Sequence, residues 1–338
     1  MIVVLKPNIS KKDERIVLAE IKKLGYKPHV MRGVARTVVG AIGDERQHKS
    51  LEALSIWPQV ESVMPVQRRY KLVSREAHPG NSAIPVTKDV SIGGPKIQVM
   101  AGPCSVESEK QLMATAEAVA AAGATVLRGG AFKPRTSPYE FQGLGVKGLK
   151  LLAKARRATG LAIITELLSE QHAGLVAEYA DILQIGARNA QNFQLLIAAA
   201  RTGKPVLLKR GLAMRIEEWL LAGEYILAHE NPNLMFCERG IRTFETYTRN
   251  TLDLSTIPII KKESHCPIVI DPSQGAGRAD LVTTMCKGAV AMGADALLIE
   301  VHPNPAEAWS DGAQQLTLEG FARLMEELKP FIAAAGRV

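Results

Sequence analysis

Cationic and metal-capable side chains recur in this 338-residue chain just beyond short apolar runs. The runs fall at 97–101, 125–127, 161–164, 181–185, 205–208, 234–237, 267–270 and 296–299. Beyond them stand Cys104, Arg128, Glu166, Arg188, Lys209, Glu238 with Arg239, Asp271 and Glu300. Two chemistries are implied. Arg128, Lys133, Arg135, Arg188, Lys209, Arg210 and Arg239, gathered at one mouth, want phosphate or carboxylate ligands, and more than one of them. Cys104 in AGPCS, Glu300 in LLIEVHP and Asp311 in WSDG offer a thiolate and two carboxylates, a donor set for a divalent metal. A lone cysteine is usually packing; the two acids make the case for more.

Local composition separates these cations from a solvated surface. LRGGAFKPRTSPY (127–139) holds Arg128, Lys133, Arg135 and Thr136 among Ala, Phe, Pro and Gly rather than further charges. Gly129 and Gly130 would let backbone approach a ligand. QIGARNAQN (184–192) and LLKRG (207–211) each put a cation directly after an apolar strand, where a dry interior opens into the mouth. FCERGIRTFE (236–245) adds Arg239, with Glu238 free to pair with a neighbouring arginine.

The elements that must position these groups follow from the spacing. Eight apolar runs alternating with helical patterns, each run functional at its C-terminal end, describe an α/β (β/α)8 TIM barrel over 96–338. Helices are expected near 108–123, 148–159, 169–179, 190–200, 215–228, 281–292 and 317–334; Ser108 to Gln111 has capping-box spacing. Residues 240–254 are the least regular. Residues 1–66 have another rhythm: strand 2–5, helix 11–24 stopped by Gly25, strands 27–31 and 37–42 around a turn at Gly33, helix 45–54 and strand 60–66. That order, βαββαβ, is a small ferredoxin-like α+β domain. Prolines and glycines in 67–95 suggest a linker.

Composition narrows the function. With 46% hydrophobic and 22% charged residues, a soluble globular protein is expected. No apolar stretch approaches the ~20 residues of a membrane span, and the first residues lack the pattern of a signal peptide, so no membrane and a cytoplasmic location are expected. Four cysteines without a CxxC pair read as reduced thiols. The net charge of +8 invites nucleic acid, but 5% aromatics and cations placed singly after strands argue for none. GLGVKG (143–148) matches a dinucleotide fingerprint, yet its first glycine does not follow a strand, so a lead into the next helix is expected.

Taken in order, GPCS, LRGGAFKPRTSPY, GARNAQN, LLKRG, ERGIRTFE, DPS and EVHP closely resemble the 3-deoxy-D-arabino-heptulosonate 7-phosphate (DAHP) synthases, in the branch with an N-terminal ferredoxin-like regulatory domain. The resemblance implies condensation of phosphoenolpyruvate with erythrose 4-phosphate, the first step toward shikimate and the aromatic amino acids. It implies that Arg128, Lys133, Arg188, Lys209 and Arg239 hold phosphoenolpyruvate, that Arg135 and Thr136 contact erythrose 4-phosphate, and that Lys133 is the proton donor if neighbouring cations lower its pKa. The implied metal ligands are Cys104, Glu300, Asp311 and a histidine after DPS. Here the chain departs: Gln274 stands at that histidine's place. A neutral amide oxygen is a harder, weaker ligand than imidazole, which tilts the site toward Mn2+ first, with Mg2+, Co2+, Zn2+ or Fe2+ as alternatives. Otherwise Cys104, Glu300 and Asp311 hold the ion with water, or the site works poorly. The family's histidines at 265 and 302 are present too and offer no replacement. The likeness further implies a tyrosine or phenylalanine effector, with His29 in the second strand as its candidate contact, and a homotetramer. Two rivals are a 3-deoxy-D-manno-octulosonate 8-phosphate synthase-like enzyme and a catalytically impaired phosphoenolpyruvate sensor.

Overall fold

The computed structural model describes residues 1–32, 36–43, 50–64 and 69–338. The chain divides into two compact units, Met1–Arg69 and Tyr70–Val338.

In the first unit β1 (Ile2–Leu5), α1 (Lys11–Lys23), β2 (Lys27–Arg32), β3 (Thr37–Ile42) and β4 (Val60–Met64) succeed one another. The sheet order is β2-β3-β1-β4, antiparallel throughout. Ser10 starts α1 by accepting the Asp13 N–H, and Gly25 stops it at a φ of 99°, which suits a residue without Cβ. One face of α1, Val17 and Ile21, packs on Val3, Leu5 and Val39. This is the expected ferredoxin-like domain. The turn at Gly33, residues 45–49 of the expected second helix and residues 65–66 of the last strand lie outside the described residues. The end of that expected helix forms a short 3-10 helix, Leu51–Ile56. His29 is exposed on β2, opposite Gly40.

The second unit opens with residues expected as a linker, and from Tyr70 on they fold with the barrel. The Glu224 carboxylate accepts the backbone N–H groups of Lys71, Leu72 and Val73 at 3.0, 2.8 and 3.1 Å. A two-stranded hairpin, β5 (Ile84–Pro85) with β6 (Ser91–Ile92), inserts Ile84 and Ile92 into the inner core. The prolines and glycines mark tight turns there rather than a tether. Residues 67 and 68 lie outside the described residues.

Eight parallel strands then close on themselves: β7 (Gln98–Gly102), β8 (Val126–Arg128), β9 (Ala162–Glu166), β10 (Ile182–Ile185), β11 (Val206–Lys209), β12 (Leu234–Glu238), β13 (Ile268–Ile270) and β14 (Ala296–Glu300). Glu300 pairs with Gly102 to complete the ring. Each strand reads as an unbroken apolar run because both its faces are dry. Val126, Ile164, Leu207, Met235 and Leu298 fill the inside, while Leu127, Ile163, Leu208, Phe236 and Ile299 meet the helices outside. The helices between strands are α2 (Glu109–Ala121), α3 (Val146–Thr159), α4 (Ala173–Tyr179), α5 (Phe193–Arg201), α6 (Ile216–Leu227), α7 (Thr256–Glu263), a five-residue α8 (Pro272–Ala276), α9 (Ala279–Ala291) and α10 (Leu318–Ala334). Of these, α7 and α8 were not expected from the sequence. Ser108 caps α2 as its spacing implies, but the Gln111 side chain reaches the Glu107 N–H, so the box is not reciprocal.

Candidate active site

Alternation along a strand fixes which charges reach the mouth. Counting from the inward Val126, Ile164, Leu207, Cys237 and Leu298, the next inward positions are Arg128, Glu166, Lys209, Arg239 and Glu300. The outward ones include Arg210 and Glu238. Arg210 therefore leaves the expected cation cluster. Its guanidinium is buried on the far side, donating to Glu238 at 2.9 Å, Asp253 at 3.0 Å, Thr256 at 3.0 Å and the Met214 carbonyl. Glu238 is thus the partner of an arginine, and burial raises its carboxyl pKa despite that partner.

The other sequence-derived cations meet. A cavity of about 300 Å3 at the strand C-termini is lined by Arg128, Lys133, Arg135, Thr136, Arg188, Lys209 and Arg239, with Gln274 and Asp311. Volumes of this order suit small-molecule sites. Several of the cations are already paired: Arg128 to Glu300 at 2.6 Å, Lys209 to Asp271 at 2.6 Å and Arg135 to Glu140 at 2.6 Å. Among the described residues Arg188, Arg239 and Lys133 form no ion pair. Lys133 instead donates to the Cys104 carbonyl and Sγ, each at 3.1 Å. Gly130 gives it the path, since a Cβ there would lie 2.6 Å from the Lys133 Cδ. That glycine serves the lysine rather than a ligand's approach. Burial alone would lower the Lys133 pKa, but the Cys104 sulfur and the Glu166 and Glu300 carboxylates raise it above the ordinary value. Neighbouring cations do not make it a lowered-pKa lysine; it is an ammonium held charged.

The acidic half of the site sits against this floor. One ligand atom each from Cys104, Glu300 and Asp311 lie within 4.8 Å of one another. Burial, reinforced by Glu300, pushes the Cys104 thiol up to about 11. Burial works against the Asp311 carboxylate, yet Arg249 and Lys133 hold it down at about 2. These three donors fit a divalent ion in type and spacing. Gln274 faces the same cluster with its amide nitrogen: Nε2 donates to Glu300 Oε1 at 3.0 Å and Asp311 Oδ2 at 3.3 Å, while Oε1 accepts from Arg239 at 2.9 Å. His302 contacts Glu107 and His265 contacts Ser82 and the Leu72 carbonyl, so neither approaches the cluster.

Three residues were not assigned from the sequence. Arg249 lines the cavity and donates to Asp311 Oδ1 and Gln314 Oε1, both at 3.0 Å. It lies in the aperiodic stretch after β12, where no pattern marks it. Gln314 donates to Glu300 Oε2 at 2.7 Å. Glu166, singled out beyond its apolar run but given no role, ends β9 inside the cation ring.

Residues 77–334 match the DAHP synthetase I family, and residues 1–68 match the DAHP synthase ferredoxin-like domain. A phospho-2-dehydro-3-deoxyheptonate aldolase of Thermotoga maritima is 52% identical over 338 residues, 99% of each chain. A 2-dehydro-3-deoxyphosphooctonate aldolase of Caulobacter vibrioides is 33% identical over 265 residues, covering 72% of this chain and 91% of its own. Among solved structures, that of the Thermotoga maritima DAHP synthase superposes with a TM-score of 0.94 at 50% identity, covering 99% of this chain and 98% of its own. Barrel and N-terminal unit are thus both matched within one group of enzymes, and the chain belongs to the DAHP synthetase I family.

Proposed function

We infer that the cavity at the barrel mouth is where this enzyme condenses phosphoenolpyruvate with erythrose 4-phosphate. The products are 3-deoxy-D-arabino-heptulosonate 7-phosphate and inorganic phosphate. One observation carries the assignment: Lys133, Arg188 and Arg239, without carboxylate partners among the described residues, open onto one cavity beside the Cys104–Glu300–Asp311 cluster.

Two anionic reactants must be held side by side, a task for several cations at once. Arg188, Arg239, Lys133, Lys209 and Arg128 take the phosphate and carboxylate of phosphoenolpyruvate. Arg135 and Thr136, on the more open loop, take the sugar phosphate. The methylene carbon of phosphoenolpyruvate forms the new bond to the aldehyde carbon, and the carbonyl electron pair moves to oxygen. Lys133 gives that oxygen its proton. Water adds to the former C2, and phosphate leaves with its bridging oxygen. A divalent ion on Cys104, Glu300 and Asp311, Mn2+ in our assignment, would supply Lewis-acid polarisation of the aldehyde. Mg2+, Co2+, Zn2+ and Fe2+ are the alternatives to test beside it.

Phosphate release, followed with both substrates across these ions, tests the assignment. Chelation should cut turnover by at least ~100-fold and add-back restore it; full activity in rigorously metal-free protein removes the ion from the scheme. Arabinose 5-phosphate, offered in competition, should be the poorer acceptor. A sensor without catalysis would bind phosphoenolpyruvate calorimetrically and release no phosphate.

The family likeness also supports a cytoplasmic homotetramer regulated by tyrosine or phenylalanine through the N-terminal domain, with His29 as a contact. No helix of the described residues is long and apolar enough to cross a membrane. Either amino acid should depress the rate in a saturable way, and His29→Ala should shift that curve to higher concentration. Flat curves at millimolar effector would remove the regulatory role.

A further inference from the structure

Gln274 occupies the first turn of α8, where Asp271 caps the helix by accepting its backbone N–H at 2.9 Å. Its own carbonyl accepts from Asn250 Nδ2 at 2.9 Å, so the residue is held from both sides of the backbone. The amide is held as firmly. Oε1 accepts from Arg239, and Nε2 donates to both Glu300 and Asp311. A guanidinium offers only N–H groups and ionised carboxylates only lone pairs. Turning the amide over would therefore lose all three bonds and set like against like at each end. So wired, Gln274 turns its N–H groups, not its oxygen, toward the cluster of Cys104, Glu300 and Asp311.

We propose that Gln274 is not a metal ligand but a positioning residue, a strut that ties Arg239 of the anion pocket to the Glu300–Asp311 pair. The ion is then left to three protein ligands and water, and Arg239 is pre-aimed whether or not the ion is bound. This rests on the function inferred for the cavity and adds the role of one side chain within it. The strut explains how the chain does without an imidazole here: the amide fills the gap between the carboxylates and hands its oxygen to the neighbouring arginine.

Gln274→Met, nearly isosteric and without the amide, tests it by two readouts that do not need turnover. The first is titration of chelator-treated protein with Co2+, followed by the thiolate-to-cobalt absorption from Cys104. The second is calorimetric binding of phosphoenolpyruvate to the metal-free protein. The strut predicts Co2+ affinity within threefold of wild type or tighter, and phosphoenolpyruvate affinity at least fivefold weaker. A tenfold loss of Co2+ affinity overturns it, because Gln274 would then be a ligand. An unmoved phosphoenolpyruvate affinity overturns it as well. The cobalt band itself reports that the variant has assembled its site, and Gln274→Leu repeats the measurement with a second apolar side chain. A wild-type protein that takes up Co2+ but no phosphoenolpyruvate sinks the assignment of the cavity, and the strut with it.

Discussion

Replacing Arg188 by alanine is expected to lower kcat/KM for phosphoenolpyruvate by about 100-fold, the ~3 kcal/mol typical of truncating one side of a charged hydrogen-bonded pair. Its thermal midpoint should stay within ~2 °C of wild type. Arg188 is exposed just beyond β10 and has no internal acceptor among the described residues, so folding loses nothing when it goes. Lys209→Ala should be as damaging to the rate and far more damaging to the fold. Its ammonium sits 2.6 Å from Asp271, whose side chain is 1% exposed. Without it, a buried carboxylate that also caps α8 stands unpaired, at a cost of ~3–5 kcal/mol. Steady-state phosphate release and melting by circular dichroism, run on both variants, check the pair of outcomes. An unchanged kcat/KM in Arg188→Ala would contradict the pocket. Equal melting of the two variants would contradict the division of these cations into a free one and a committed one.

That division is also where the sequence stops informing. The barrel itself is legible, because a closed parallel sheet is dry on both faces and must spell apolar runs. The site is legible at the same places, because such strands expose chemistry only where they end. Placement of Lys209 and Arg210 was within reach by one more step. In LLKR, Leu207 is inward and Leu208 outward, so Lys209 enters the mouth and Arg210 turns to the helices, where it meets Glu238 and Asp253. The same alternation admits Arg239 and sends Glu238 away. Arg249 is different in kind. It comes from an irregular loop held by an isolated bridge, Ile241 with Thr251, and by backbone bonds such as the Arg249 N–H to the Ala276 carbonyl, and nothing periodic carries it to Asp311. The stretch from Tyr70 to Ile92 misled for a physical reason: its turns need proline and glycine whether they tether a domain or fold back on one. The orientation of Gln274 depends on a donor 35 residues away and could not be read from DPSQ.

The second large effect concerns Arg128 and Glu300, which join the two halves of the mouth. Their 2.6 Å pair is almost wholly buried, at 6% and 1% side-chain exposure, and Gln274 and Gln314 complete the hydrogen bonds of Glu300. Glu300→Leu should destabilise by ~3–5 kcal/mol, because a buried guanidinium is left without its counter-charge. Arg128→Met should cost less, since two amide donors remain on the carboxylate. The double variant Arg128→Met with Glu300→Leu should regain most of the stability, with a coupling of at least ~2 kcal/mol, because two apolar side chains can fill a site that desolvated charges barely stabilise. Turnover should be lost in all three, for each lacks either an anion contact or a metal donor. Urea midpoints and phosphate release separate the two quantities. A double variant no more stable than Glu300→Leu would mean that the pair is not what secures these charges, and that the wider set of donors around Glu300 carries them instead. Recovered stability beside absent activity is the signature expected of charges kept in a barrel mouth for the reactants, where an apolar pair would have folded as well.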